Sequence, residues 1–224
     1  MTDTTPSLAA RLPEAIADAR ARTLALVADL SDEQLMGPRL PILNPLKWEI
    51  AHVAWFQEKW VLRREGQPSV RADADALYDS MAVPHDVRWD LPLPSRHDTI
   101  AYVEQVRDRV LRSLEGGAPS ADALYFTLLA LFHEDMHAEA FTYARQTLGY
   151  PAPRTSMAPT GSAEGEGGPL PGDAAVPGGT LLLGAAPEDG FVFDNEKWAH
   201  PVEVAPFSIA RAPVTQAEFA EFVD

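Results

Sequence analysis

Two histidines, His133 and His137, stand four residues apart in the stretch LALFHEDMHAEAF at residues 129–141. On an α-helix that spacing means roughly 6 Å of rise and about 40° of rotation, so both imidazoles leave one face and can share one ion. The same five residues read H-E-x-x-H, the pattern of zinc metalloproteases. The rest of that pattern is missing. The extended protease motif places Gly three and His six residues beyond the second His, where this chain has Ala140 and Tyr143. The later acidic residues Glu164 and Glu166 sit in TGSAEGEGGPLPGD, too rich in Gly and Pro to hold a rigid ligand. A third ligand is therefore expected upstream.

His52, within KWEIAHVAWFQEKWVL, is that expected ligand. Helical spacing puts Trp48, His52 and Trp55 on one face. A histidine alone on an apolar face is more often a satisfied core residue. Beside a ready pair at i and i+4, flanked by alanines that leave room, metal ligation becomes the stronger reading. Three neutral imidazoles suit zinc, iron, nickel or copper, and such a set leaves open positions for substrate and dioxygen. The spacing does not separate iron from zinc. Glu134 and Asp135 read most simply as a solvated helix face. The alternative for either is to accept an imidazole N–H.

The elements that must position these residues are legible. Ser120 is a good N-cap for a helix that Gly149 and Pro151 terminate. Along it Leu124, Leu128, Leu131 and Phe141 recur at helical spacing, as do Phe126, Ala130, His133, His137, Ala140 and Ala144. Three further amphipathic segments precede it: Pro13 to Leu30; Asn44-Pro45, read as N-cap and N1, to Glu65 before Gly66; and Ser95, with Asp98 three residues on, to Gly116. Four such helices predict an antiparallel bundle over residues 1–150. The long connection at 67–94 is expected to be functional. Residues 151–175 read as a linker of Pro, Gly, Ala and Ser. Beyond it, over 176–224, GGTLLLGA and HPVEVAPFSIAR read as strands, and Thr215 caps QAEFAEFVD. So short a unit buries little core, so it is expected to be the incomplete start of a domain.

Composition removes several classes of function. The 224 residues carry 18 basic and 33 acidic side chains, a net charge of −15. Nucleic acid and anionic membranes, which need basic surface, are poor partners for it. The absence of cysteine excludes disulfides, cysteine nucleophiles and thiolate ligands. The first residues contain no apolar signal segment and no run is long enough to span a membrane, so a cytoplasmic location is expected.

NPLKWEIAHVAWFQEKWVL, followed some 80 residues later by HEDMH, resembles the DinB-like bundle of the ergothioneine-type sulfoxide synthases. PGGTLLLGAAPEDGFVFDNEKWAHPVEVAPFSIARAPVTQAEFAEFVD resembles the opening of the formylglycine-generating-enzyme-like domain that follows the bundle in that family. The resemblance implies an α-helical four-helix DinB-like bundle followed by the start of an α+β domain. It implies Fe(II) held by His52, His133 and His137, dioxygen as co-substrate, and a sulfur donor joined to imidazole C2 of hercynine. The family's catalytic tyrosine is expected beyond residue 224. One departure concerns the donor. Family members that use γ-glutamylcysteine carry an Arg-rich stretch in the long loop. Here LYDSMAVPHDVRWDLPLPS keeps Arg88 and otherwise offers His85, Asp86, Trp89 and Asp90. Arg88 and Trp89 are the candidate donor-binding residues. One arginine beside two aspartates is a poor clamp for a dicarboxylate. The loop resembles the selenoneine synthase branch, whose donor is a selenosugar. The alternatives are a thiol donor, a zinc-dependent DinB-like thiol transferase, and a non-catalytic metal-binding module.

Overall fold

The computed structural model describes residues 8–117, 119–153, 170–188 and 190–223. The chain divides into two units, 1–156 and 157–224. The linker expected at 151–175 lies mostly outside the described residues.

Four long helices build the first unit: α1 (Leu8–Ala25), α3 (Leu46–Gln57), α5 (Arg96–Leu114) and α6 (Ala121–Thr147). Short helices α2 (Asp32–Met36) and α4 (Ala74–Tyr78) lie in the connections. Helices α1 and α3 each pack against both α5 and α6. Leu12, Ile16, Leu46, Val53, Leu62, Val103, Val106, Val110, Leu128 and Phe141 form the largely aliphatic core between them.

Local signals set most helix ends. Ser95 Oγ accepts from Asp98 N, and Ser120 Oγ accepts from Ala123 N, each at 3.1 Å. Gly66 and Gly149 take φ of 82° and 66° at the ends of their helices, a conformation in which a Cβ is strained. Two expectations need correction. Helix α1 starts at Leu8 and stops at Ala25, with Pro13 inside it rather than opening it. Asn44 does not cap α3 either, because its Oδ1 accepts from Arg88 at 2.7 Å. The helical path of α3 continues through a π turn at Glu58–Leu62 and a 3-10 turn at Arg63–Glu65.

The second unit holds two antiparallel strand pairs. β1 (Asp173–Val176) pairs with β4 (Phe207–Ala210), and β2 (Gly179–Leu183) pairs with β3 (His200–Val204). β1 thus begins inside the stretch expected to be linker. HPVEVAPFSIAR is two strands in different sheets, separated at Ala205-Pro206, where proline has no N–H to continue a ladder. The backbone of Gly178 lies so close to that corner that a Cβ would meet Pro206 Cδ at 2.7 Å and Val204 O at 2.8 Å. Helix α7 (Gln216–Val223) opens with a reciprocal cap between Thr215 and Glu218.

Candidate metal centre

Helix α3 supplies His52, and α6 supplies His133 and His137 from one face. One nitrogen from each lies within 4.8 Å of the others, and the Nε2 atoms of His133 and His137 are 3.2 Å apart. The rings are held from behind. Trp48 stacks on His52 at 4.8 Å and 9°, Trp55 lies at 5.5 Å from it, and Phe56 stacks on His133 at 3.8 Å and 13°.

Hydrogen bonds decide where the imidazole protons sit. A carbonyl only accepts, so His52 Nδ1 carries the proton it donates to Tyr78 O at 2.8 Å, leaving the Nε2 lone pair free. His137 Nδ1 likewise donates to Glu49 Oε1 at 2.6 Å. His133 Nδ1 is buried with no partner among the described residues. Burial pushes the His52 imidazole down to about 3, with neighbouring His137 as the next cause. Burial and the same neighbour push His133 down to about 2. Both rings are therefore neutral, the form that binds metal.

The spacing of His133 and His137 fits one divalent ion. Two nitrogens each about 2.1 Å from one metal, at an angle of about 90–110°, lie roughly 3.0–3.4 Å apart, which matches the 3.2 Å observed. The set contains imidazole nitrogen and no carboxylate or thiolate, a chemistry shared by iron, zinc, nickel and copper.

The acidic residues between the histidines behave otherwise than expected. Glu134 is not solvated: it is 1% exposed and accepts from Arg20 Nε at 2.7 Å, Arg20 Nη2 at 3.1 Å and Thr23 Oγ1 at 3.0 Å. Arg20 also donates to Gln57 and to the Val103 carbonyl, so one ion pair ties α6 to α1, α3 and α5. A carboxylate bound on both oxygens is no general base, which disposes of the protease reading. Asp135 pairs with Arg22 at 2.8 Å on the partly exposed side. The acidic residue that does touch one of the three imidazoles is Glu49, which sequence reasoning missed. Its one signal is a carboxylate in the first turn of an otherwise apolar helix, three residues before His52.

The connection at 67–94 packs along α3. Trp48 Nε1 donates to Leu77 O at 2.6 Å, Trp55 Nε1 to Asp75 Oδ1 at 2.7 Å, and Lys59 pairs with Asp79 at 2.7 Å. Arg88 is buried with its guanidinium 4.0 Å above the Trp48 ring, one ring removed from His52. It donates to Asn44 at 2.7 Å and to Val83 O at 3.1 Å, while its Nε has no partner among the described residues. Trp89 has other neighbours: its Nε1 donates to Met36 O at 3.0 Å and its ring meets the edge of His85. The structure thus gathers His52, His133 and His137, places Arg88 behind Trp48 and so one ring from His52, and packs Trp89 against the last residue of α2.

Comparison with known proteins adds the family context. Residues 15–141 match the DinB superfamily and residues 160–224 match the Sulfatase-modifying factor enzyme 1-like domain. The chain is similar to a hercynine oxygenase of Mycolicibacterium smegmatis, 34% identical over 219 residues that cover 95% of this chain and 50% of that protein. A hercynine oxygenase of Mycobacterium tuberculosis is 35% identical over 215 residues, covering 93% of this chain and 49% of that protein. The chain therefore spans about half the length of the relatives it matches.

Proposed function

We propose a function from one premise: the chain belongs to the DinB superfamily and, with its second domain, to the ergothioneine-type sulfoxide synthase family. In this reading the helical unit holds Fe(II) through His52, His133 and His137 for an O2-dependent reaction that joins sulfur or selenium to imidazole C2 of hercynine. The second domain supplies further substrate contacts. The observation that carries the reading is the cluster of three imidazoles with no carboxylate among them, two of which, His52 and His133, burial holds neutral.

Bound iron would supply activation of dioxygen and a seat for the donor's anionic chalcogen. The protein's own residues do the rest. The Tyr78 carbonyl and Glu49 hold His52 and His137 in the tautomer that directs Nε2 inward. Trp48 and Trp55 cover the His52 ring and Phe56 covers a face of His133. Neutral ligands leave a ferrous centre cationic, which favours a selenolate or thiolate over a neutral donor.

The 67–94 connection supports a selenosugar over a dicarboxylate thiol. The two terminal nitrogens of Arg88 are already committed to Asn44 and Val83, and Asp86 adds negative charge nearby in the chain, while Asp90 is paired with Arg39. The test uses protein that includes the complete second domain, loaded anaerobically with Fe(II) and hercynine. It is then given O2 and either a selenosugar or γ-glutamylcysteine, with products read by mass. Faster product from the selenosugar is expected. Preference for γ-glutamylcysteine overturns the donor and leaves the reaction class standing, whereas no product from either removes the synthase reading.

A further inference from the structure

Three imidazoles bring no charge to a metal, whereas a two-histidine-one-carboxylate iron site receives one negative charge directly. Glu49 stands where that charge can be restored. It is 3% exposed and its Oε1 lies 2.6 Å from His137 Nδ1. The other two ligands are held differently: His52 Nδ1 faces a neutral carbonyl, and His133 Nδ1 faces no partner among the described residues. Glu49 sits on α3 one turn before His52, so the helix that supplies one ligand also supplies the carboxylate behind a ligand of α6. Its buried charge is not stranded, because Arg88 lies within its electrostatic reach.

Resting on the metal-centre reading above, we propose that Glu49 is a positioning residue of that centre. Its carboxylate orients His137 with Nε2 towards the ion. Through the hydrogen bond it also lends the ligand set the negative charge that three imidazoles lack. An imidazole backed by a carboxylate is the better donor, because positive charge drawn onto the ring by the cation is shared with the acid behind it. The three ligands are therefore unequal, with His137 the strongest and His133, unsupported, the weakest.

Cobalt(II) titration of the metal-stripped chain tests this without turnover. Glu49→Gln keeps the size and an acceptor oxygen but removes the charge. It is expected to weaken cobalt binding by about 10–100-fold and to shift the visible cobalt absorption, with the far-ultraviolet circular dichroism of the metal-free protein unchanged. Glu134→Gln is the control, a buried carboxylate between the two α6 histidines that touches none of the three imidazoles; its bound cobalt should give the wild-type spectrum. Wild-type affinity and spectrum in Glu49→Gln overturn the proposal, as does a loss of affinity that merely follows lost folding while the spectrum stays fixed. Should Glu49→Gln fail to fold, Glu49→Asp keeps the charge at shorter reach, and unaltered affinity in that variant also overturns it. A wild-type chain that binds no cobalt removes the metal centre itself, an outcome distinct from failure of the Glu49 role.

Discussion

A protonated imidazole is no ligand, so the burial that keeps His52 and His133 neutral is part of the site's chemistry. It also costs stability in acid. In the unfolded chain these rings titrate near the ordinary 6.5, while in the fold they resist to about 3 and about 2. Between those values the unfolded state binds more protons, so stability is complete above about 6.5 and is lost as the pH falls. The slope is up to about 1.4 kcal/mol per pH unit for each histidine. Urea midpoints of the metal-free protein from pH 8 to pH 4 should show it, and His52→Gln should remove its share; a slope unchanged in that variant refutes the buried neutral ring. Replacing His52, His133 or His137 by Ala should abolish stoichiometric iron binding while leaving helical content nearly intact, because the bundle's core is mostly aliphatic and does not depend on any one of these rings. Retention of full iron occupancy by any one variant removes that residue from the ligand set. Glu134→Ala acts on stability instead. It strands Arg20, which is 1% exposed, without its charge partner. Breaking such a pair costs about 3–5 kcal/mol, measurable as a lowered urea midpoint.

Helix α3 organises both the candidate metal centre and the long connection beside it. Trp48, Trp55, Lys59 and Arg63 each grip the segment around α4, and His52 reaches the same segment through the Tyr78 carbonyl. Glu58, fully buried in the π turn, accepts from Tyr102 Oη at 2.7 Å and Val70 N at 3.0 Å, and from the Ser69 hydroxyl. It fastens the start of the connection. Asp75 takes hydrogen bonds from Arg63 and from Trp55, and Arg63 is the main reason its carboxyl stays well below the usual range. The Arg63–Asp75 pair is partly exposed, so Asp75→Ala should cost under about 1 kcal/mol globally. Locally it should free α4, raising hydrogen exchange across residues 73–83 and weakening metal binding, because the carbonyl that orients His52 loses its anchor. Exchange indistinguishable from wild type over that segment contradicts the coupling.

The two units differ in how much apolar surface they cover. In the first, side chains from four helices close over one another. In the second, successive residues of β2 point to opposite faces, yet Leu181, Leu182 and Leu183 are 54%, 67% and 52% exposed. Phe207, Ile209, Phe219 and Phe222 are exposed as well. Few buried contacts mean a low free energy of opening. Hydrogen exchange of this chain should therefore show residues 173–223 exchanging well before α3, α5 and α6. Equal protection of the two units contradicts this.

What the sequence by itself determined is what neighbours within one turn decide. Ser95 and Ser120 cap, Gly66 and Gly149 terminate, and the i, i+4 spacing brings the imidazoles of His133 and His137 to one face, because these effects need no other element. His52 was legible because it shares a face with Trp48 and Trp55 on a helix long enough to cross the bundle. Tertiary structure decided the partners of the charged and polar residues. Glu134 and Arg20 are 114 residues apart, and His137 and Glu49 are 88 apart. Asn44 serves Arg88 instead of its own helix, and β1 finds β4 across more than 30 residues of chain. Periodicity reports which face of a helix is apolar. Which buried carboxylate meets which cation or imidazole depends on how two helices are set against each other, and no local pattern carries that information.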